Sequence, residues 1–117
     1  RLIGEKGKPK GYQCEIERNE GGKNGGVYGI GFGGWLYPKN QQQNAQLKTN
    51  TKDLFSNTKW NKIHVRAVEN RVQTWVNGQK VSDVQGIKRH HGRFGVQHHG
   101  SGGTVKFRRL RFRAIDL

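Results

Sequence analysis

Apolar and polar residues alternate along much of this chain with a period of two, the spacing of a strand with one buried face. In "GYQCEIE", residues 11–17, Tyr12, Cys14 and Ile16 share one side, and Gln13, Glu15 and Glu17 share the other. After a Gly-rich loop, "NEGGKNGG", the runs "VYGIGF" and "WLYP" read as a broken strand. The clearest unit covers residues 60–81, "WNKIHVRAVENRVQTWVNGQKV". There Ile63, Val65 and Ala67 alternate with His64 and Arg66, "VEN" turns the chain, and "RVQTWVN" returns. Asn77-Gly78 suits a type I′ hairpin, whose two central residues both need positive φ.

The last segments continue the pattern. In "GRFGVQHHG", Phe94, Val96 and His98 fall on one face, and Gly95, Gln97 and His99 on the other. In "TVKFRRLRFRAIDL", Val105 and Phe107 are odd while Leu110, Phe112 and Ala114 are even, so the phase flips at Arg108-Arg109 and predicts a bulge. Lys106, Arg108, Arg109, Arg111 and Arg113 then lie opposite the core face. No stretch carries helical spacing, and the polar run "PKNQQQNAQLKTNTKD" reads as an irregular surface excursion. The expectation is an all-β sandwich of two antiparallel sheets in one domain, 1–117, with no helix beyond about two turns. Its core should hold Tyr12, Cys14, Ile16, Ile63, Val65, Val96, Phe107, Leu110 and Phe112.

Composition narrows this picture. Hydrophobic residues make up 31% of the 117, and the 18 glycines with 2 prolines suit short strands joined by tight turns. The net charge of +14, from 22 basic and 8 acidic residues, favours an acidic partner. Cys14 is the single cysteine, so no internal disulfide forms and it reads as a small core residue. No apolar run approaches the length of a transmembrane helix. The chain opens at Arg1 in what reads as mid-strand, "RLIG", so further strands are expected upstream.

The order "GYxxxI", "GVYG", "WNKIHVRAVENRVQTWVNGQKV", "GRFGVQHHG" and "VKFRRLRF" resembles the 3-keto-disaccharide hydrolase domain family across nearly the whole chain. The resemblance implies a concanavalin-like jelly-roll sandwich, related to laminin-G-like folds, in secreted bacterial carbohydrate-degrading proteins. It therefore implies a periplasmic or extracellular location. Three departures stand out. The family's first strands precede the equivalent of Leu2; its Glu-x-Gln strand is here Gln13-Cys14-Glu15; and its closing Phe-Arg-Asn is here Phe107-Arg108-Arg109.

Candidate chemistry centres on Gln13, Glu15 and Glu17. Side chains two apart on a strand sit about 6.6–7 Å apart, inside the roughly 6.5–9.5 Å range of an inverting carboxylate pair. Neighbours on one strand flank a sugar poorly, however, so the second group should come from another strand. His99 lies on the Gln97 face and matches the family's histidine, which makes Glu15 and His99 the candidate catalytic pair. Gln13, Glu17, Tyr28, Trp75 and Gln97 are the candidate sugar contacts, the aromatics by stacking. The ordinary alternatives are a solvated strand face for the carboxylates, a hydrogen-bonded structural histidine, and core packing for Trp75. Nothing shows zinc-ligand spacing; a divalent metal at a developing enolate is compatible with the chemistry but not required.

Two functions compete. One is a carbohydrate-active or carbohydrate-binding domain: in a 3-keto sugar the carbonyl acidifies the C2 proton, and a base such as Glu15 or His99 removes it and expels the glycosidic oxygen. The other is a non-catalytic subunit of a hetero-complex that docks Lys106, Arg108, Arg109, Arg111 and Arg113 on an acidic protein, membrane or glycan surface. Nucleic acid fits poorly, because no stacking aromatics or known motif accompany the basic row.

Overall fold

The computed structural model describes residues 2–5, 8–19, 21–88, 91–98, 100 and 102–116, with the backbone alone for 2–5 and 8. Two antiparallel sheets form. The first runs β1 (Leu2–Glu5), β2 (Lys8–Cys14), β3 (Val27–Ile30) and β4 (Gly34–Tyr37), each paired with the next. The second is β5 (Ile63–Val68), β6 (Arg71–Val76) and β7 (Gln79–Gln85) in the same order. The meander expected in 60–81 is present. Asn77 and Gly78 have φ of 49° and 86°, as a type I′ turn requires. What read as one broken strand is the β3–β4 hairpin, turned by Gly31 and Gly33 at φ 73° and 92°.

The sheets meet through a small core. Val27, Val72 and Ile87 form its buried centre, with Tyr12, Leu36, Ala67 and Val84 packed against it. Parity explains the choice: Val27 and Gly29 face inward on β3, and Val72, Thr74 and Val76 face inward on β6. A polar clasp reinforces the contact. The Thr74 and Ser82 hydroxyls, both buried, donate to the carbonyl oxygen of Gly25 at 2.5 and 2.6 Å. Buried donors need such partners, since an unpaired one costs about 1–3 kcal/mol.

The polar run expected to be irregular contains a helix, α1 (Gln41–Thr51), longer than the two turns allowed for. Its start is capped. The Asn40 side chain accepts from the Gln43 N–H at 2.8 Å, and the Gln43 amide accepts from the Lys39 N–H at 2.7 Å. Periodicity missed it because Leu47, 1% exposed, is its one buried residue. The Gln79 amide holds its far end by donating to the Asn50 carbonyl at 2.6 Å.

The largest correction concerns the closing strands. Apart from a bridge residue at Arg93, no regular element occurs between 91 and 116 among the described residues. Val96, Phe107, Leu110 and Phe112, expected in the core, are exposed, the last two at 72%. Neither period-2 face of this segment has a sheet laid over it, so alternation there buries nothing. The bulge expected at the phase flip is absent, because no ladder forms there, although Arg109 takes φ 54°. Ile16 and Val65 are exposed too. Ile16 lies beyond the end of β2, and Val65 sits mid-way along β5, an edge strand.

Candidate functional site

The face of the first sheet turned away from the core gathers the candidate site. Register places Gln13 opposite Tyr28, and Tyr28 opposite Trp35, so the three side chains form a row across β2, β3 and β4. Glu15 lies just past β2, but the ladder continues through it: its N–H donates to Gly26 O and its carbonyl accepts from Gly25 N, both at 2.9 Å. Its carboxylate thus shares the Gln13 side. The Gln13 amide N–H donates to Glu15 Oε2 at 2.6 Å, which fixes the carboxylate's orientation and marks it as an acceptor. Tyr28 meets Trp35 edge to face, with centroids 5.2 Å apart at 78°. Gly26 leaves room for the indole: a Cβ there would stand 3.1 Å from Trp35 Cζ3. Trp35 was not singled out from the sequence, although its cross-strand position relative to Tyr28 is what completes the row.

The other candidates fall elsewhere. Glu17 supports the Gly-rich loop. Its backbone N–H donates to Asn24 Oδ1 at 2.6 Å and its carbonyl accepts from Asn24 Nδ2 at 2.7 Å, while its carboxylate accepts from Asn19 Nδ2 at 3.1 Å. Trp75 lies in the second sheet, on the side opposite Thr74 and Val76, stacked on His64 at 4.7 Å and 21°. It is therefore on a different sheet from Gln13, Glu15 and Tyr28. Gln97 is exposed and outside any strand, and His99 lies outside the described residues. Its neighbour His98 is tied locally: Nδ1 accepts from the Gly100 N–H at 3.0 Å, so Nε2 carries the proton toward Gly103 O at 3.0 Å.

The basic residues 106–113 are exposed. The Arg108 guanidinium stacks on Trp60 at 3.9 Å, and Phe94 touches Phe112 at 4.8 Å, so the two closing segments contact one another. Trp60 is half exposed and serves this stack. No helix among the described residues is long and apolar enough to cross a membrane, and no three His, Cys, Asp or Glu among them converge as metal ligands.

Beneath the site, burial pushes the Cys14 thiol up from 9.0 to about 12, with the neighbouring Glu15 carboxylate adding to the effect. It is a protonated, half-buried group, not a nucleophile. At pH 8 the native protein should therefore react with a thiol reagent at least ~100-fold more slowly than the urea-unfolded chain. The raised value stabilises the fold fully below pH 9.0 and is lost as pH climbs toward 12, since the unfolded thiol ionises first. Urea midpoints at pH 8 and 10.5 should diverge, and Cys14→Ala should shrink the gap. Equal gaps in both proteins would count against it.

Residues 3–113 match the family model described as 3-keto-alpha-glucoside-1,2-lyase-like domain, the family whose motifs the sequence carries. A comparison with curated proteins finds no match.

Proposed function

The chain belongs to the 3-keto-alpha-glucoside-1,2-lyase-like domain family, and on that premise we propose that it cleaves 3-keto glycosides at the Glu15 face. The observation that carries this is an oriented carboxylate, Glu15 held by Gln13, beside the aromatic pair Tyr28 and Trp35 on one sheet face. The aromatics meet the C–H side of a sugar ring, and Glu15 takes the C2 proton. The C2–H electron pair forms the C1=C2 bond while the C1–O bond breaks, and the leaving oxygen is protonated, a role we assign to His99. Water then adds across C1=C2, so the net reaction is hydrolysis without redox change. The exchange of acid and amide between positions 13 and 15 keeps one of each on the same strand face, so a base and its positioning group remain. A periplasmic or extracellular setting, with glycans at hand, accords with this reading.

The full chain, given a 3-keto-α-glucoside, should generate the absorbance of a conjugated enone and then the free 3-keto sugar; the unoxidised glucoside should give neither. Absence of both products from the oxidised substrate would overturn the proposal.

A second reading draws on residues 104–116, where exposed Phe107, Leu110 and Phe112 stand among five cations. We propose that this segment docks on an acidic surface, long basic stems covering apolar area as the charges pair. Arg108 is engaged with Trp60, so Arg109 and Arg111 are the free test positions. Replacing both by Gln should weaken retention on an acidic polysaccharide or anionic vesicle about 5–30-fold, from two exposed pairs of ~0.5–1 kcal/mol each. The difference should fade at high salt. Salt-insensitive, unchanged retention would reduce the row to a solvated surface.

A further inference from the structure

Beyond Tyr28, the Trp35 indole also borders a depression of about 250 Å³, lined by Lys23, Lys39, Asn40, Gln41 and Asn44 as well. It lies where β4 gives way to α1, so hairpin and helix start build it together. Its chemistry is one-sided: two ammonium groups, three primary amides and an indole, with no carboxylate among the lining residues. The Lys23 ammonium stands 4.4 Å over the Trp35 ring. Neither lysine is in an ion pair among the described residues; the pairs there are Arg71–Asp83 and Lys80–Asp83. Asn44 Oδ1 is buried without a hydrogen-bond donor.

We propose that this cleft is a subsite for a sugar unit bearing a carboxylate, a hexuronate, linked to the sugar that lies on the Glu15 face. The inference rests on the carbohydrate reading of that face and adds the substrate's charge. A carboxylate reaching Lys23 and Lys39 makes charge-assisted hydrogen bonds. The amides of Asn40, Gln41 and Asn44 serve ring hydroxyls. A simple inorganic anion would use the lysines but leave the indole and amides idle. A neutral sugar would use the indole and amides but leave both ammonium groups unpaired. A uronate uses all of them, and it accords with a net charge of +14.

The test is calorimetric titration of the full chain with a glucuronosyl-glucose disaccharide, the matching glucosyl-glucose disaccharide, and free acetate. The uronate disaccharide should bind about 10-fold more tightly than its neutral counterpart at low salt, with the margin shrinking as salt rises. Lys23→Gln with Lys39→Gln should bring the two disaccharides within about twofold of each other. Lys39→Gln alone, at an exposed position, should reduce the preference even if the double variant fails to fold. Equal binding of both disaccharides by the unaltered chain overturns the subsite while leaving the carbohydrate reading standing. A uronate preference without turnover of any 3-keto glycoside overturns the cleavage proposed at Glu15 while leaving the subsite standing. Acetate binding as tightly as the uronate disaccharide, or no binding by either disaccharide, also overturns the subsite.

Discussion

Replacing Glu15 by Gln is expected to lower turnover of a 3-keto glycoside by about 10²–10⁴, the usual contribution of a positioned general base. The substitution suits the site because it is isosteric. The Gln13 amide N–H, 2.6 Å from Glu15 Oε2, still finds a carbonyl oxygen to donate to, so the row across β2, β3 and β4 keeps its shape. What disappears is the basic oxygen that would accept the C2 proton. The loss should therefore fall on kcat, with KM and the urea midpoint little changed. A fall in KM-weighted binding with kcat preserved would place Glu15 among the sugar contacts. Turnover equal to that of the unaltered chain would remove it from the site. The steady-state assay is enone absorbance.

A second large effect is expected at a residue that touches no ligand. Gly25 holds φ 83°, where a Cβ is strained, and a Cβ there would stand 2.8 Å from Val81 Cβ and 3.0 Å from Val76 Cγ2. Its carbonyl receives both buried hydroxyls, Thr74 and Ser82, so the backbone cannot shift to make room without loosening the clasp between the sheets. Gly25→Ala combines left-handed strain of about 1 kcal/mol with overpacking of about 1–3 kcal/mol, so a loss of roughly 2–4 kcal/mol is expected. Gly33 is the control: its φ is 92°, but nothing lies within 4 Å of a Cβ there, so alanine should cost only the backbone share. Urea midpoints of the two variants separate the contributions. If Gly33→Ala proved as costly as Gly25→Ala, the packing account would fail.

Local rules carried the sequence reading where each element's partner is its neighbour in the chain. The β5–β6–β7 meander was legible because adjacent strands pair through tight turns, and Asn77-Gly78 can hardly do anything but turn. The Gln13–Glu15 side was legible for the same reason, since parity alone puts both side chains on one face. The helix α1 was missed, because a helix with one buried leucine leaves no periodic trace.

Only the tertiary structure decided the rest. Alternation says that a strand has two faces; it cannot say whether another layer covers either of them. Hence Phe107, Leu110 and Phe112, with the same pattern as the β6 residues, stand exposed, while Val72 and Val76 are buried under the first sheet. Parity also cannot say which sheet a strand joins. Trp75 and Tyr28 looked equivalent as stacking candidates, yet cross-strand register set Tyr28 beside Trp35 and Gln13 and left Trp75 against His64 on the other sheet. Period and turn chemistry are properties of a few consecutive residues and are fixed by the sequence. Coverage and register depend on segments brought together from far along the chain, as when Gly25 meets Thr74 and Ser82, and these only the fold could settle.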